Sequence, residues 1–284
     1  MNETAKMIST AIGRVAYYVS DHDRDLPTAV LWPSLFTSGH ASWGPQLETL
    51  HNLGYRTILI DPPGQGASGP PPSTLSMGDC SEAALRILDA EGVEQSVFLG
   101  VSWGSFVAMK TGIVAPDRVS ALVLSNTTSS PSTGLTLFQD KMGVRLIRLG
   151  VPGGRGRIVV PTLLGPRAIA ADPTFAKQLT AEVNRIDRVA LGRSAQSVLV
   201  EREDMTNDLH RISAPTLVIS GIHDKVFAPA LGESVAAAIL SARYELIDGA
   251  HLAPRGDAAA IGALLKSFLG SLRNPANAKE KVSA

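Results

Sequence analysis

The sequence predicts an α/β protein with a mostly parallel sheet and helices on both of its faces, and three observations predict it. Short apolar, β-rich runs alternate with segments of helical period from Ala29 to Leu124. The alternation resumes at Ala214 after a long stretch without a strand. Three turns that follow predicted strands each carry a side chain able to do chemistry, at Ser102, Asp224 and His251.

The elements follow in order. The chain opens with a hairpin over 6–10 and 14–20, turning at 11–13 and followed by the polar cluster 21–27. A strand at 29–32 leads to a helix over 43–53, a strand at 56–60 and a helix over 77–91. The strand 97–99 feeds a helix over 105–114, and a strand at 119–124 ends the first half. Roughly 85 residues then pass in helical patterns, too many for a simple loop, so they are expected to form an insertion over the C-terminal edge of the strands. The core resumes with a strand over 214–219, a helix over 229–239, a strand at 244–247 and a helix over 258–272. The division expected is a core of 1–127 and 213–273, a helical cap or lid of 128–212, and a flexible tail of 274–284.

Composition narrows the function. Lys+Arg and Asp+Glu both number 26 in 284 residues, so neither nucleic acid nor an anionic membrane is expected as a partner. A small-molecule substrate is, with the protein itself a monomer or homodimer. Cys80 is the single cysteine, which excludes an internal disulfide and a thiolate metal cluster, and its place in a helical pattern reads as a small buried residue. The N-terminus has no basic segment followed by an apolar one, and no apolar run reaches about 18 residues. A cytoplasmic location is expected.

Ser102 lies in Gly100-Val101-Ser102-Trp103-Gly104, directly after the apolar run Val97-Phe98-Leu99 and before a helical segment. That context sets the serine on a strand-to-helix turn with its hydroxyl exposed at the sheet edge. A serine hydroxyl becomes a nucleophile at neutral pH only when a base removes its proton, and the base needs an orienting acid. Asp224 in Gly221-Ile222-His223-Asp224 and His251 in Asp248-Gly249-Ala250-His251 both follow strands and supply that pair. His223, beside the acid, reads as a loop or lid residue, and His40 and His210 as surface or rim residues.

These motifs together resemble those of the α/β-hydrolase-fold serine hydrolases. Asp61-Pro62-Pro63-Gly64-Gln65-Gly66-Ala67-Ser68 is similar to the family's DxxGxGxS turn, and Ala214-Pro215-Thr216-Leu217-Val218-Ile219-Ser220-Gly221 leads to the acid as in the family. The resemblance covers nearly everything outside the insertion and implies an eight-stranded sheet, the catalytic residues Ser102, Asp224 and His251, and no cofactor or metal. It also implies an oxyanion hole with the N–H of Trp103 as one donor. For the second donor, Trp32-Pro33-Ser34-Leu35-Phe36-Thr37 is closer to the Ser-Leu-Gly-Thr version of the 3-oxoadipate enol-lactonase-like branch than to the usual His-Gly pair. That alignment points to Leu35, whereas counting back from Trp43 points to Phe36; Pro33 has no N–H.

Gly64-Gln65-Gly66-Ala67-Ser68-Gly69 also fits a dinucleotide fingerprint, but Pro70-Pro71-Pro72 leaves no helix N-terminus for a pyrophosphate. In the insertion, Lys141, Arg145, Arg148, Arg155, Arg157 and Arg167 stand against Asp140 between 128 and 170, which reads as a solvated face rather than a mouth for acidic substrates. Leu135, Leu137, Phe138, Met142, Leu146, Leu149 and Val151 recur at helical spacing and are expected to pack lid against core, with Phe138 and Met142 joining Ser34 and Phe36 in a substrate pocket. The glycines at 150, 153, 154, 156 and 165 are expected to make the insertion mobile.

The activity these readings imply is hydrolysis of a carboxylic ester or lactone through an acyl-enzyme. A proline iminopeptidase-like or carbon–carbon bond hydrolase would use the same triad, and a polyhydroxyalkanoate depolymerase shares the Gly-Val-Ser-Trp-Gly turn. Epoxide hydrolases and haloalkane dehalogenases normally hold an aspartate where Ser102 stands. A small-ligand binding protein on the same fold is the non-enzymatic alternative.

Overall fold

The computed structural model describes residues 3–20 and 25–273. The predicted tail 274–284 and the 21–24 part of the polar cluster lie outside the described residues. Eight strands form one sheet: β1 (Glu3–Thr10), β2 (Gly13–Ser20), β3 (Thr28–Trp32), β4 (Arg56–Ile60), β5 (Ser96–Val101), β6 (Val119–Ser125), β7 (Thr216–Gly221) and β8 (Ala242–Ile247), in the order β1-β2-β4-β3-β5-β6-β7-β8. The hairpin β1–β2 joins antiparallel to β4, and the remaining pairs are parallel.

Strands β3, β4, β5 and β7 are buried at every residue, as a parallel sheet covered on both faces requires. Alternate residues feed two cores. Val30, Trp32, Phe98 and Val218 pack to one side with α3 (Met77–Ala90), α4 (Trp103–Val114) and α9 (Pro229–Ala238). Ala29, Leu31, Leu99 and Ile219 pack to the other with α1 (Gly39–Trp43), α2 (Leu47–Asn52), α10 (Ala253–Gly256) and α11 (Ala258–Arg273). The predicted helix over 43–53 is a tight 3₁₀ turn at Gly44–Gln46, with Pro45 in its first turn where no N–H is needed, running into α2, and α1 precedes it as a further short helix. Helix α3 starts where its sequence says it should, with a capping box between Ser76 and Asp79.

Between β6 and β7 the chain is helical: α5 (Gly134–Leu149), α6 (Gly156–Ala171), α7 (Pro173–Arg185) and α8 (Arg188–Ala195). Gly165, at φ 71°, kinks α6 just before Pro166. No helix among the described residues is long and apolar enough to cross a membrane.

A buried carboxylate ties this frame together. Glu91, at the end of α3, accepts from Lys6 Nζ of β1 at 2.8 Å, Tyr17 Oη of β2 at 2.9 Å and Arg56 Nη2 of β4 at 2.7 Å. Burial opposes its ionisation, but the hydrogen bonds from Lys6, Tyr17 and Arg56 outweigh that and hold the carboxyl below its usual range. Burial first, and then the bond to Glu91, push the Tyr17 phenol up to about 12.

Candidate active site

Ser102 stands between β5 and α4 with φ 55° and ψ −112°, a conformation that costs a side-chain-bearing residue about 1–3 kcal/mol. The surrounding backbone imposes it. A Cβ on Gly100 would come within 2.1 Å of Gly104 C, and one on Gly104 within 2.0 Å of Trp32 O, so both glycines of the pentapeptide are required by close approach. The Ser102 N–H donates to Ser125 O at 3.0 Å, and Ser105 Oγ donates to Gly100 O at 2.8 Å and Ser125 O at 3.1 Å. The turn is thereby clamped to the end of β6.

Asp224 and His251 come from the loops after β7 and β8. Asp224 Oδ2 lies 2.8 Å from His251 Nδ1, and the two side chains are 0% and 2% exposed. The other oxygen, Oδ1, accepts from the N–H groups of Val226 at 2.7 Å and Phe227 at 3.1 Å. A carboxylate only accepts, so Nδ1 carries the proton of a neutral ring and Nε2 is left as the basic nitrogen. The Phe227 ring meets the imidazole edge to face, with centroids 5.5 Å apart. Ser102 and His251 line one cavity of about 140 Å³.

The loop after β3 forms another wall of that cavity. Ser34, Leu35 and Phe36 all line it, and Pro33 O accepts from Gly104 N–H at 3.2 Å, which fastens the loop to the serine turn. Phe36 takes a left-handed φ of 74°. The neighbouring turn is held by Thr37 Oγ1, which bonds Ser34 O at 2.8 Å and Ser42 Oγ at 2.7 Å. Trp103 begins α4, so its N–H has no intrahelical acceptor.

The structure brings together Ser34, Leu35, Phe36, Ser102 and His251 around one cavity, with Asp224 behind the histidine, but leaves Phe138 and Met142 out. Both lie on the outward side of α5, Phe138 at 61% exposed, and they border none of the cavities near Ser102. The apolar stripe that was expected to pack on the core is largely the wrong one, because α5 packs through Val144 and Ile147 instead. The Trp103 ring is turned into the core, 5.8 Å from Trp32. The cavity walls contributed by the insertion are Ile158, Val159, Thr162 and Leu163 of α6, with Val198 and Leu199 beyond α8. Beyond Phe36 lies a larger cleft of about 690 Å³, bordered by Tyr18, His40, Gln65 and Arg185.

His223 bonds Asp248 at 2.8 Å on the surface, and His40 bonds Glu3 at 2.7 Å. Cys80 is fully buried, which pushes its thiol up and out of reactive range. The Asp61 turn closes on its own carboxylate: Oδ1 accepts from Gly39 N–H at 2.9 Å and Oδ2 from Ala67 N–H at 2.8 Å.

One residue of the site was not singled out from sequence. Asn126, buried at φ 50° after β6, donates through Nδ2 to Ala250 O at 2.9 Å and His251 O at 2.7 Å, while its Oδ1 accepts from Gly221 N–H at 2.8 Å. It ties the loop after β7 to the loop after β8. An amide directly after a strand at the sheet's C-terminal edge is the signal that marks it.

This sheet, with a serine on a strained turn after β5 and the acid and histidine after β7 and β8, is the α/β-hydrolase fold. A family model described as alpha/beta hydrolase fold matches residues 27–146. A solved hydrolase from Pseudomonas aeruginosa superposes with a TM-score of 0.85 at 29% identity, over 94% of this chain and 98% of that one. A 2-hydroxy-6-oxononadienedioate/2-hydroxy-6-oxononatrienedioate hydrolase from Paraburkholderia phymatum is 27% identical across 82% of this chain and 83% of its own length. The 3-oxoadipate enol-lactonase 1 of Acinetobacter baylyi is 26% identical across 87% of this chain and 90% of its own. The chain therefore has the α/β-hydrolase fold and is similar to hydrolases across most of its length.

Proposed function

We propose that the protein is a serine hydrolase of small carboxylic esters or lactones, with Ser102 as nucleophile, His251 as general base and then acid, and Asp224 as the group that orients His251. The observation that carries this reading is the 2.8 Å contact between His251 Nδ1 and Asp224 Oδ2 at the back of a cavity that Ser102 shares. Nε2 takes the Ser102 proton as Oγ attacks the carbonyl carbon. The carbonyl π electrons move to oxygen, and the oxyanion is met by the N–H of Trp103 and, as second donor, that of Leu35. Leu35 is favoured over Phe36 because the left-handed φ of Phe36 matches the glycine slot of Ser-Leu-Gly-Thr, which aligns Leu35 with the leucine before it. Collapse expels the alcohol oxygen, which receives the proton from His251. Water, deprotonated by His251, then releases the acid from Ser102.

The cavity favours a neutral, compact acyl group. Its walls include Ile158, Val159, Leu163, Val198 and Phe227, and none of its lining residues is charged in the carboxylate or Lys/Arg sense. A carboxylate on the acyl part would lie there without a cation, at a desolvation cost of several kcal/mol. The segment 128–212 acts in this scheme as the cap that supplies those walls. The test is turnover of short p-nitrophenyl esters and a lactone panel, with fluorophosphonate labelling of the folded protein. Hydrolysis and labelling that both vanish in Ser102→Ala are expected; turnover that persists in the variant would sink the assignment, and a wild type that neither turns over nor labels would favour a binding protein.

A further inference from the structure

Helix α5 is apolar on two opposite sides. The inward side holds the buried Val144 and Ile147, and the helix's one acid, Asp140, interacts with the buried Arg202. On the outward side Leu135, Phe138, Met142, Leu146 and Leu149 are between 42% and 71% exposed. At about 100° per residue these five fall in an arc of roughly 80°, nearly opposite the buried pair. A helix on a protein surface ordinarily keeps that side polar. Here the exposed cations Lys141, Arg145 and Arg148 run along one flank of the apolar side, with Arg148 also reaching Gly192 O, and the exposed Gln139 stands on the other flank. Among the described residues Lys141 and Arg145 make no ion pair.

The charge selects the occupant. A second copy of this chain docked antiparallel through the same face would bring its own Lys141 and Arg145 up to these, like against like, and a parallel copy would leave both cationic flanks without an anionic partner. An anionic lipid surface satisfies both halves of the pattern, since acyl chains take the apolar stripe and headgroups take the flank. The overall charge balance of 26 against 26 hides this local excess.

We propose that α5 is an interfacial helix that lies along an anionic lipid surface, holding the protein to the bilayer peripherally and without crossing it. The outward set of Leu135, Phe138, Met142, Leu146 and Leu149 enters the headgroup boundary, and Lys141, Arg145 and Arg148 meet the lipid phosphates. This does not depend on the hydrolase reading, because none of these side chains lines the cavity of Ser102.

Co-sedimentation of the full chain with phosphatidylcholine vesicles, with and without about 30% phosphatidylglycerol, tests it. Anionic vesicles are expected to bind at least about tenfold more tightly than neutral ones, and added salt to weaken the binding. The double variants Phe138→Glu/Leu146→Glu and Lys141→Glu/Arg145→Glu are each expected to lose about tenfold in affinity while keeping the wild-type melting temperature. Ser102→Ala should bind vesicles as the wild type does, whatever its hydrolytic behaviour. Three results would overturn the inference: no vesicle binding by the folded wild type, binding unchanged in both double variants, or light scattering that shows a dimer dissociated by Phe138→Glu/Leu146→Glu. The last would assign the stripe to a second copy.

Discussion

Glu91 and Asp224 are two carboxylates buried with nitrogen partners, and they are wired in opposite ways. Glu91 is enclosed by Lys6, Arg56 and Tyr17, each already committed to it, so the assembly has nothing left to offer a ligand. Asp224 spends one oxygen on the backbone of its own loop and the other on His251 Nδ1, and the second ring nitrogen of His251 makes no hydrogen bond within the described residues. The first assembly joins β1, β2 and β4 to the end of α3. The second ends at a cavity. Burial and a short contact are common to both; what separates them is the hydrogen-bonding capacity that His251 leaves unspent beside a cavity, which is the basis of the role proposed for it.

Substitutions can break this contrast, and the largest effect belongs at the serine. Ser102→Ala is expected to lower kcat on a reactive ester by at least about 10⁴-fold, with little change in melting temperature, since the turn and its clamps remain. Asp224→Asn should follow with about 10⁴-fold in kcat at nearly unchanged stability, because the amide oxygen must accept from the Val226 and Phe227 N–H groups, which turns the NH2 donor toward Nδ1 and moves the ring proton to Nε2. Steady-state kinetics alongside thermal melts check both.

Glu91→Ala should do the reverse. Removing the carboxylate leaves Arg56 buried and unpaired, at a cost of about 3–5 kcal/mol in denaturant unfolding, while kcat of the folded fraction stays within about twofold. A large kcat loss there would erase the distinction between the two assemblies. Asn126→Ala belongs between them: loss of its three hydrogen bonds should cost about 1–3 kcal/mol and also lower kcat by about tenfold, with KM little changed. Asn126→Gly would keep the left-handed backbone and still lose activity, which separates the amide's role from the strain.

The smallest effect is in the pH dependence of stability. The folded pKa of Glu91 lies below its unfolded value, so its contribution is present above about pH 4.3 and is lost as pH falls through the folded value. Tyr17 is raised to about 12, so its share is complete below its unfolded pKa of about 10 and disappears as pH rises through the folded value. Melting temperatures of wild type and Glu91→Gln against pH should therefore converge toward the acid end.

Much of the frame was legible because its signals are local. The pentapeptide around Ser102 and the β-rich runs of β3 to β7 can be read in windows of a few residues, and both glycines proved necessary for the reason their type implies. The helix over 43–53 is present as a 3₁₀ turn leading into α2, whereas α1 before it is too short for its apolar spacing to show. Phe138 and Met142 were misplaced because helical period reveals that α5 has apolar stripes but not which one meets the core. Asn126 was passed over because its partners, Gly221, Ala250 and His251, lie far along the chain.

The sequence by itself determined the order of strands and helices, the strained serine turn, and the presence of an acid and a histidine after later strands, since each depends on residues near one another in the chain. Only the tertiary structure decided that Asp224 and His251 meet at 2.8 Å, that Asn126 joins their loops, that Phe36 takes a left-handed φ beside the cavity, and that α5 turns Phe138 outward. The physical reason is that hydrogen-bond capacity and apolar surface are properties of single residues, whereas which of them remain unspent is settled by what packs against them.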